Sequence, residues 1–159
     1  MKIFILEDNP DRMTQFTAMW IKDELVATNN VEQARKILEN EKFNYLMLDH
    51  DLGGEVYVSV TDKNSGSYLC KHMHETKNVD TPILVHSWND VGAEEMVNLL
   101  MDGQHKGKIE SMQFMSPAFQ KRINEILSES VAKKRKENPP PEIEIPSAFE
   151  VAMKKSKDA

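Results

Sequence analysis

The sequence predicts an α/β domain built on a parallel five-stranded sheet with helices on both faces. Three observations carry this prediction. Runs such as "IFIL" (3–6), "YLML" (45–48) and "PILV" (82–85) are continuously apolar, as strands covered on both faces are. Segments of helical periodicity lie between them, so strand and helix alternate about five times, the pattern of parallel pairing. Reactive side chains follow the runs directly: Glu7 and Asp8, Asp49 to Asp51, and His86 with Ser87. In a parallel sheet those ends share one edge, and ligands bind outside it.

In order, "IFIL" is the first strand. Asn9-Pro10 starts a helix, a capping side chain followed by proline at the first helical position. Met13, Phe16 and Trp20 then recur at helical spacing. "ELVAT" (24–28) is a short strand, and Val31, Ala34, Ile37 and Leu38 mark one face of a second helix. "YLMLD" (45–49) is the third strand. "EVYVSV" (55–60) alternates and reads as a strand or half of a hairpin. With the turn chemistry of "TDKNSG", segment 55–65 is expected to be a flap of paired strands over the site. "SGSYLCKHMHET" is a helix with Leu69 and Met73 inward, and "TPILVHSW" (81–88) is a buried strand. "VGAEEMVNLLMDG" is a helix ending at Gly103, and "KIESMQFM" is the last strand. Ser116-Pro117 caps a final helix whose stripe holds Phe119, Ile123, Ile126, Leu127 and Val131. Lys133-Lys134-Arg135-Lys136 is the solvated end of that helix, where positive charge is favourable. The expected organisation is a domain over 1–131 and a charged, proline-rich arm over 132–159, in which "SAFEVAMKKSK" is a candidate short helix.

Composition narrows the function classes. A net charge of −6 argues against a general nucleic-acid surface. The single Cys70 excludes an intrachain disulfide and suits a reducing compartment. No apolar run approaches the roughly 20 residues that span a bilayer, and acids follow "MKIFIL" where a signal peptide would have small residues. The expectation is a cytoplasmic protein, bacterial or in a virus-infected cell, with no membrane partner. The sequence specifies no oligomeric state.

An acidic pair after the first strand, an aspartate after the third and a hydroxyl after the fourth resemble the receiver domain of two-component signalling, over about residues 1–130. That resemblance implies a flavodoxin-type, receiver-like fold. It also implies a magnesium ion held by Glu7, Asp8 and Asp49, phosphoryl transfer to Asp49, and contact of the phosphoryl group by Ser87. Two departures stand out. Receivers carry a lysine where "MSPAF" has Ser116, and apolar residues where this chain has His50 and Asp51. The combination of "DHDLGG" and "HSWNDVGA" looks more like the variant called the cyclic-phosphate-processing receiver domain.

Carboxylates that converge at one edge repel unless a cation or proton lies between them. Asp8 and Asp49 are therefore the expected metal ligands, with Glu7 a ligand or a supporting acid. Hard oxygen ligands suit Mg²⁺, or Mn²⁺ if a histidine joins. In extended backbone Asp49 and Asp51 share one side and His50 the other, so Asp51 is the better candidate for site contact. The catalytic set read from the sequence is Asp51 to orient or deprotonate water, His86 to protonate the leaving oxygen, and His50 as a second histidine. Ser87 and Asn89 would hold the nonbridging oxygens, with Asn89 also capping the helix that starts near Gly92. The implied ligand is a small phosphorylated molecule or nucleotide, or an RNA end bearing a cyclic phosphate. The implied activity is metal-dependent phosphodiester hydrolysis. The alternatives are a phospho-acceptor receiver using Asp49 and a non-enzymatic nucleotide- or protein-binding module.

Overall fold

A computed structural model describes residues 1–54 and 57–142. The chain divides into two compact units, Met1–Leu127 and Ser128–Ala159. The first contains five parallel strands: β1 (Lys2–Leu6), β2 (Glu24–Thr28), β3 (Tyr45–Leu48), β4 (Ile83–Val85) and β5 (Ile109–Ser111). Their order is β2-β1-β3-β4-β5. The helices are α1 (Pro10–Met19), α2 (Val31–Asn40), α3 (Gly66–Lys71), α4 (Asp90–Asp102) and α5 (Pro117–Glu137).

Strand geometry explains the two cores. Along β1, Phe4 and Leu6 point to one face and Ile3 and Ile5 to the other, and all four are buried. The first face packs against Val31, Ala34, Leu38, Leu69, Met96 and Leu100 from α2, α3 and α4. The second packs against Phe16 and Trp20 from the α1 segment and Phe119, Ile123 and Ile126 from α5. A sheet covered this way needs apolar residues on both sides of each inner strand, which is why "IFIL" and "YLML" show no alternation.

Register then builds the site. Leu6 pairs with Leu48, and Leu48 with Val85. The next residue on each strand is Glu7, Asp49 and His86, so these three form one row across neighbouring strands. The row lies where the chain's winding reverses between β1 and β3, the place where open α/β sheets form a crevice.

Several expectations need correction. Residues 57–64 contain no strand. Their loop is shaped by Gly53 and Gly54 at φ +80° and +77°, by Tyr57 at φ +55°, and by a carboxylate that takes its N–H groups. Alternation over "YVSV" (57–60) thus reflects no ladder; Glu55 and Val56 lie outside the described residues. The last strand stops at Ser111, four residues before "KIESMQFM" ends. The "SGSYLCKHMHET" helix breaks after Lys71 into a single 3₁₀ turn, with Leu69 and Met73 buried as expected. α4 starts at Asp90, two residues before Gly92. Val131 is exposed, about 100° out of phase with the buried stripe. Lys133 to Lys136 do lie on α5, which ends at Glu137. The segment "SAFEVAMKKSK" falls outside the described residues. None of the described helices is long and apolar enough to cross a membrane.

Candidate functional site

The carboxyl ends of β1, β3 and β4 open into a cavity of about 240 Å³, floored by Glu7, Asp8, Arg12 and Asp49 and rimmed by Tyr57 and Trp88. Glu7 is only 2% exposed. Its Oε1 accepts the N–H groups of Asp8 (3.1 Å) and Asn9 (2.9 Å), and its Oε2 accepts from His86 Nε2 at 3.0 Å. Burial alone would raise the Glu7 pKa; the His86 hydrogen bond and charge, the Asn9 N–H and Arg12 outweigh it, and the group lies below its usual range. Glu7 is thus an ionised, fully bonded acid beneath the cavity.

Asp49 is equally buried, with a different balance. Burial raises its pKa, Glu7 adds to the rise, and the opposing effects of His86, the Ser87 hydroxyl and Arg12 leave it raised. Its Oδ1 accepts its neighbour's N–H, from His50, at 2.8 Å. Its Oδ2 faces Arg12 Nη1 at 3.5 Å. Asp8 is half-buried, lines the same cavity and accepts the Gly54 N–H at 2.5 Å.

The residues read from the sequence as catalytic are placed differently. His86 does not line the cavity: it is fully buried, edge-on to Phe16 with centroids 5.1 Å apart, and its Nε2 is spent on Glu7. Direct proton delivery from His86 to a ligand in the cavity is therefore corrected to support of Glu7. A residue that directly follows an apolar strand can still be core, and here Phe16 and Phe114 close over the ring. His50 is also fully buried, packed against the start of α4 so closely that a Cβ on Gly92 would come within 2.4 Å of its ring. Its Nδ1 reaches Asp51 Oδ1 at 3.0 Å, and its Nε2 has no partner among the described residues.

Asp51 lines the cavity, but its oxygens are committed. They accept from Tyr57 N (2.7 Å), Val58 N (2.9 Å), Asn89 Nδ2 (3.0 Å) and His50 Nδ1. Burial pushes its pKa up, and the bonds from Asn89, His50, Tyr57 and Val58 bring it below the usual value. A carboxylate so stabilised is a poor base; it pins the loop. Asn89 caps α4 through Gly92 N at 3.0 Å and gives its amide N–H to Asp51, so it is not free to hold a phosphate. The Ser87 hydroxyl bonds Asp49 and accepts the Asn89 N–H at 3.1 Å, again within the protein. Where receivers carry lysine, Ser116 caps α5 by accepting the Phe119 N–H at 3.2 Å.

Three cavity residues went unread in the sequence. Arg12 sits in the first turn of α1, directly after the strand end that carries Glu7 and Asp8, a place that could have revealed it, and its guanidinium lies over the Phe114 ring at 5.3 Å. Tyr57 is 77% exposed and Trp88 53%. Trp88 follows Ser87 directly, but nothing local signals Tyr57, whose orientation depends on Asp51.

The donor set fits a hard divalent cation. Glu7, Asp49 and His86 each offer a ligand atom within 4.8 Å of the others. Glu7 and His86 already satisfy each other, so Asp49 and Asp8, which line the cavity, are the oxygens left for a metal, and burial makes the Asp49 charge costly without one.

The sequence matches the model of the cyclic-phosphate processing receiver domain over residues 1–102. No curated protein matches the chain. Among solved structures it is similar to the receiver domain of a Pseudomonas aeruginosa sensor histidine kinase, which has a magnesium ion coordinated in its active-site cleft. The two are 16% identical, with a TM-score of 0.58, covering 82% of this chain and 97% of that one. A two-component response regulator from Clostridium difficile is 18% identical, with a TM-score of 0.55 and coverage of 87% and 98%. A Burkholderia pseudomallei response regulator with a phosphorylated aspartic acid, calcium and citrate is 20% identical, with a TM-score of 0.53 and coverage of 87% and 76%. With a parallel sheet in the order β2-β1-β3-β4-β5 and an acidic cleft at its carboxyl edge, the chain belongs to the family of cyclic-phosphate processing receiver domains.

Proposed function

We propose that the domain hydrolyses a cyclic phosphate diester, a cyclic nucleotide or a 2′,3′-cyclic RNA end, with Mg²⁺ or Mn²⁺ held by Asp8 and Asp49. The observation that carries this reading is the meeting of Asp8 and Asp49, among four cavity carboxylates, with Arg12 beneath two exposed aromatic rings. The magnesium in the cleft of the Pseudomonas receiver domain supports the metal. Such a cation supplies polarisation of a phosphoryl oxygen and a lowered pKa for attacking water.

The chain's own residues do the rest. Arg12 meets the nonbridging oxygens with a planar fork of donors, the charge that Ser116 does not provide. Glu7, held ionised by His86, fixes the backbone of Asp8 and Asn9 and so the position of Asp8. The Asp51-pinned loop covers one side and limits water around the ligand. Tyr57 and Trp88 offer faces on which a base can stack, an interaction worth about 1–3 kcal/mol per base.

A phospho-acceptor role for Asp49 is the second reading, favoured by the phosphorylated aspartic acid of the Burkholderia relative. One experiment separates the two. Incubation with 2′,3′- and 3′,5′-cyclic nucleotides and Mg²⁺ or Mn²⁺, followed by mass spectrometry of the small molecules, should show ring opening. Incubation with acetyl phosphate should leave the protein's intact mass unchanged. A phosphorylated protein with intact cyclic nucleotides would replace hydrolase by phospho-acceptor. Binding with neither reaction would indicate a sequestering module.

A further inference from the structure

We propose that Arg12 and the divalent cation compete for the same oxygen of Asp49, so that metal entry hands the guanidinium over to the ligand's phosphate. The inference rests on the metal reading above and adds a coupling between the two ligands.

Among the described residues, Arg12 is the one cationic side chain lining the cavity. Its Nη1 is 3.5 Å from Asp49 Oδ2 and 3.6 Å from Glu7 Oε2. Oδ1 of Asp49 is held by the His50 N–H, and Glu7 Oε2 is shared with His86. Ser87 also bonds the Asp49 carboxylate, and Oδ2 is the Asp49 oxygen that faces Arg12, so a metal bound there meets the guanidinium directly. A hard divalent cation sits about 2.0–2.6 Å from a carboxylate oxygen. A second positive charge within about 4–6 Å opposes it. The two cannot share Oδ2 without loss, and the mobile partner is the arginine.

Arg12 has somewhere to go. Its guanidinium lies over the face of Phe114, 5.3 Å from the centroid, and the side chain is partly open to the cavity. A ring beneath a guanidinium attracts it without fixing its rotation about the ring normal. Turning on that platform keeps the fork inside the cavity and frees its N–H donors for phosphate oxygens, which accept them in pairs. Metal then favours anion binding both by its own charge and by releasing Arg12. By reciprocity the anion, in drawing Arg12 away, favours the metal.

Two effects of opposite sign follow when the charge is removed. Calorimetric titration with Mg²⁺ should show Arg12→Gln binding the metal about tenfold more tightly than the parent, since a nearby like charge is gone. At saturating Mg²⁺ the same variant should bind inorganic phosphate about tenfold more weakly, since a charge-assisted pair is lost. Removing a cation from buried acids risks the fold, so a second measurement uses the parent. The isotope-labelled side-chain signal of Arg12, assigned by its loss in Arg12→Lys, should shift on adding Mg²⁺ and again on adding phosphate. Mg²⁺ affinity equal to or weaker than the parent's in folded Arg12→Gln overturns the proposal. So does an Arg12 signal that saturating Mg²⁺ leaves unmoved. A parent protein that binds no Mg²⁺ at all refutes the metal reading itself, an outcome distinct from Mg²⁺ binding that ignores Arg12.

Discussion

Replacing His86 by leucine tests whether this histidine supports Glu7 or meets a substrate. Both side chains are fully buried, and the Nε2–Oε2 distance is 3.0 Å. Breaking a buried pair by removing one partner costs about 3–5 kcal/mol, because the remaining charge is left uncompensated. Leucine is close in volume to the imidazole and suits the surrounding Phe16 and Phe114, so packing loss adds little. We expect His86→Leu to lose about 3 kcal/mol at neutral pH. Arg12 at 3.6 Å and the two backbone N–H groups still serve Glu7, which keeps the loss at the lower end. For a urea slope of about 1–3 kcal/mol/M, the midpoint falls by roughly 1–3 M. The sign of the pH dependence follows from the pair. In the parent, the lowered pKa of Glu7 adds stability above its unfolded value of 4.5. That contribution is lost as pH falls through the still lower folded value. In His86→Leu, burial of Glu7 has lost its main counterweight, and acidification toward 4.5 should recover stability. Glu7→Gln combined with His86→Leu should recover about 2 kcal/mol, a coupling read from the double-mutant cycle by urea denaturation. A His86→Leu midpoint within about 0.5 M of the parent, or a double variant no more stable than the single one, refutes the buried-pair reasoning.

Three further outcomes are expected. Asp49→Asn should weaken Mg²⁺ binding by at least the 10–100-fold that even outer partners of a metal cost, measured calorimetrically. Because the folded pKa of Asp49 is raised, its charge destabilises the apo protein above that pKa; the variant should melt higher at neutral pH, and the gain should vanish below about 3.8. Gly66→Ala would bring a Cβ to 2.2 Å from the Asp49 carbonyl oxygen and 2.7 Å from Met96, so about 1–3 kcal/mol of stability should be lost, with weaker Mg²⁺ binding as β3 shifts. Asp51→Ala should leave global stability within about 1 kcal/mol while speeding limited proteolysis within 52–64 and raising KM for a cyclic phosphate, as the Tyr57 and Val58 N–H groups lose their acceptor.

The fold was legible because sheet burial writes itself into composition. "IFIL" and "YLML" are apolar at every position, so strand, burial on both faces and parallel pairing could be read together. The edge holding the site followed, since Glu7, Asp49 and His86 are each the first residue after a strand. What could not be read was which of these side chains turns into the cavity. Alternation placed Asp51 on the side of Asp49, and it does line the cavity. Its oxygens, however, are consumed by Tyr57 and Val58, whose positions depend on left-handed turns at Gly53 and Gly54. "EVYVSV" shows the same limit: alternation suits a strand only if a neighbour strand exists to pair with it. Arg12 was missed because a helical arginine reads as surface until the strand ends it faces are known.

Hydrogen-bond accounting, more than residue type, divides the site. Histidine and aspartate are the usual proton carriers, yet a carrier needs an uncommitted atom facing the ligand. His86 Nε2 is bonded to Glu7, and both Asp51 oxygens serve the loop. These pairs fix geometry: His86 holds Glu7, Glu7 holds the backbone of Asp8 and Asn9, and Asn89 ties Asp51 to the start of α4. Among the described residues, those that keep bonding capacity toward the cavity are Asp49, whose Oδ2 has only a long 3.5 Å contact with Arg12 besides the Ser87 bond to the carboxylate, the half-buried Asp8, and Arg12. Two carboxylates and one guanidinium leave the cavity floor one positive charge short of neutral before Glu7 is counted, and two short once it is. In the proposed hydrolase a divalent cation makes up that deficit, and a bound phosphate then restores the need for Arg12. On that proposal an arginine on α1 takes the part that receivers give to a lysine after β5: the chemistry requires a cation within reach of the phosphoryl oxygens, and the strand it follows is immaterial.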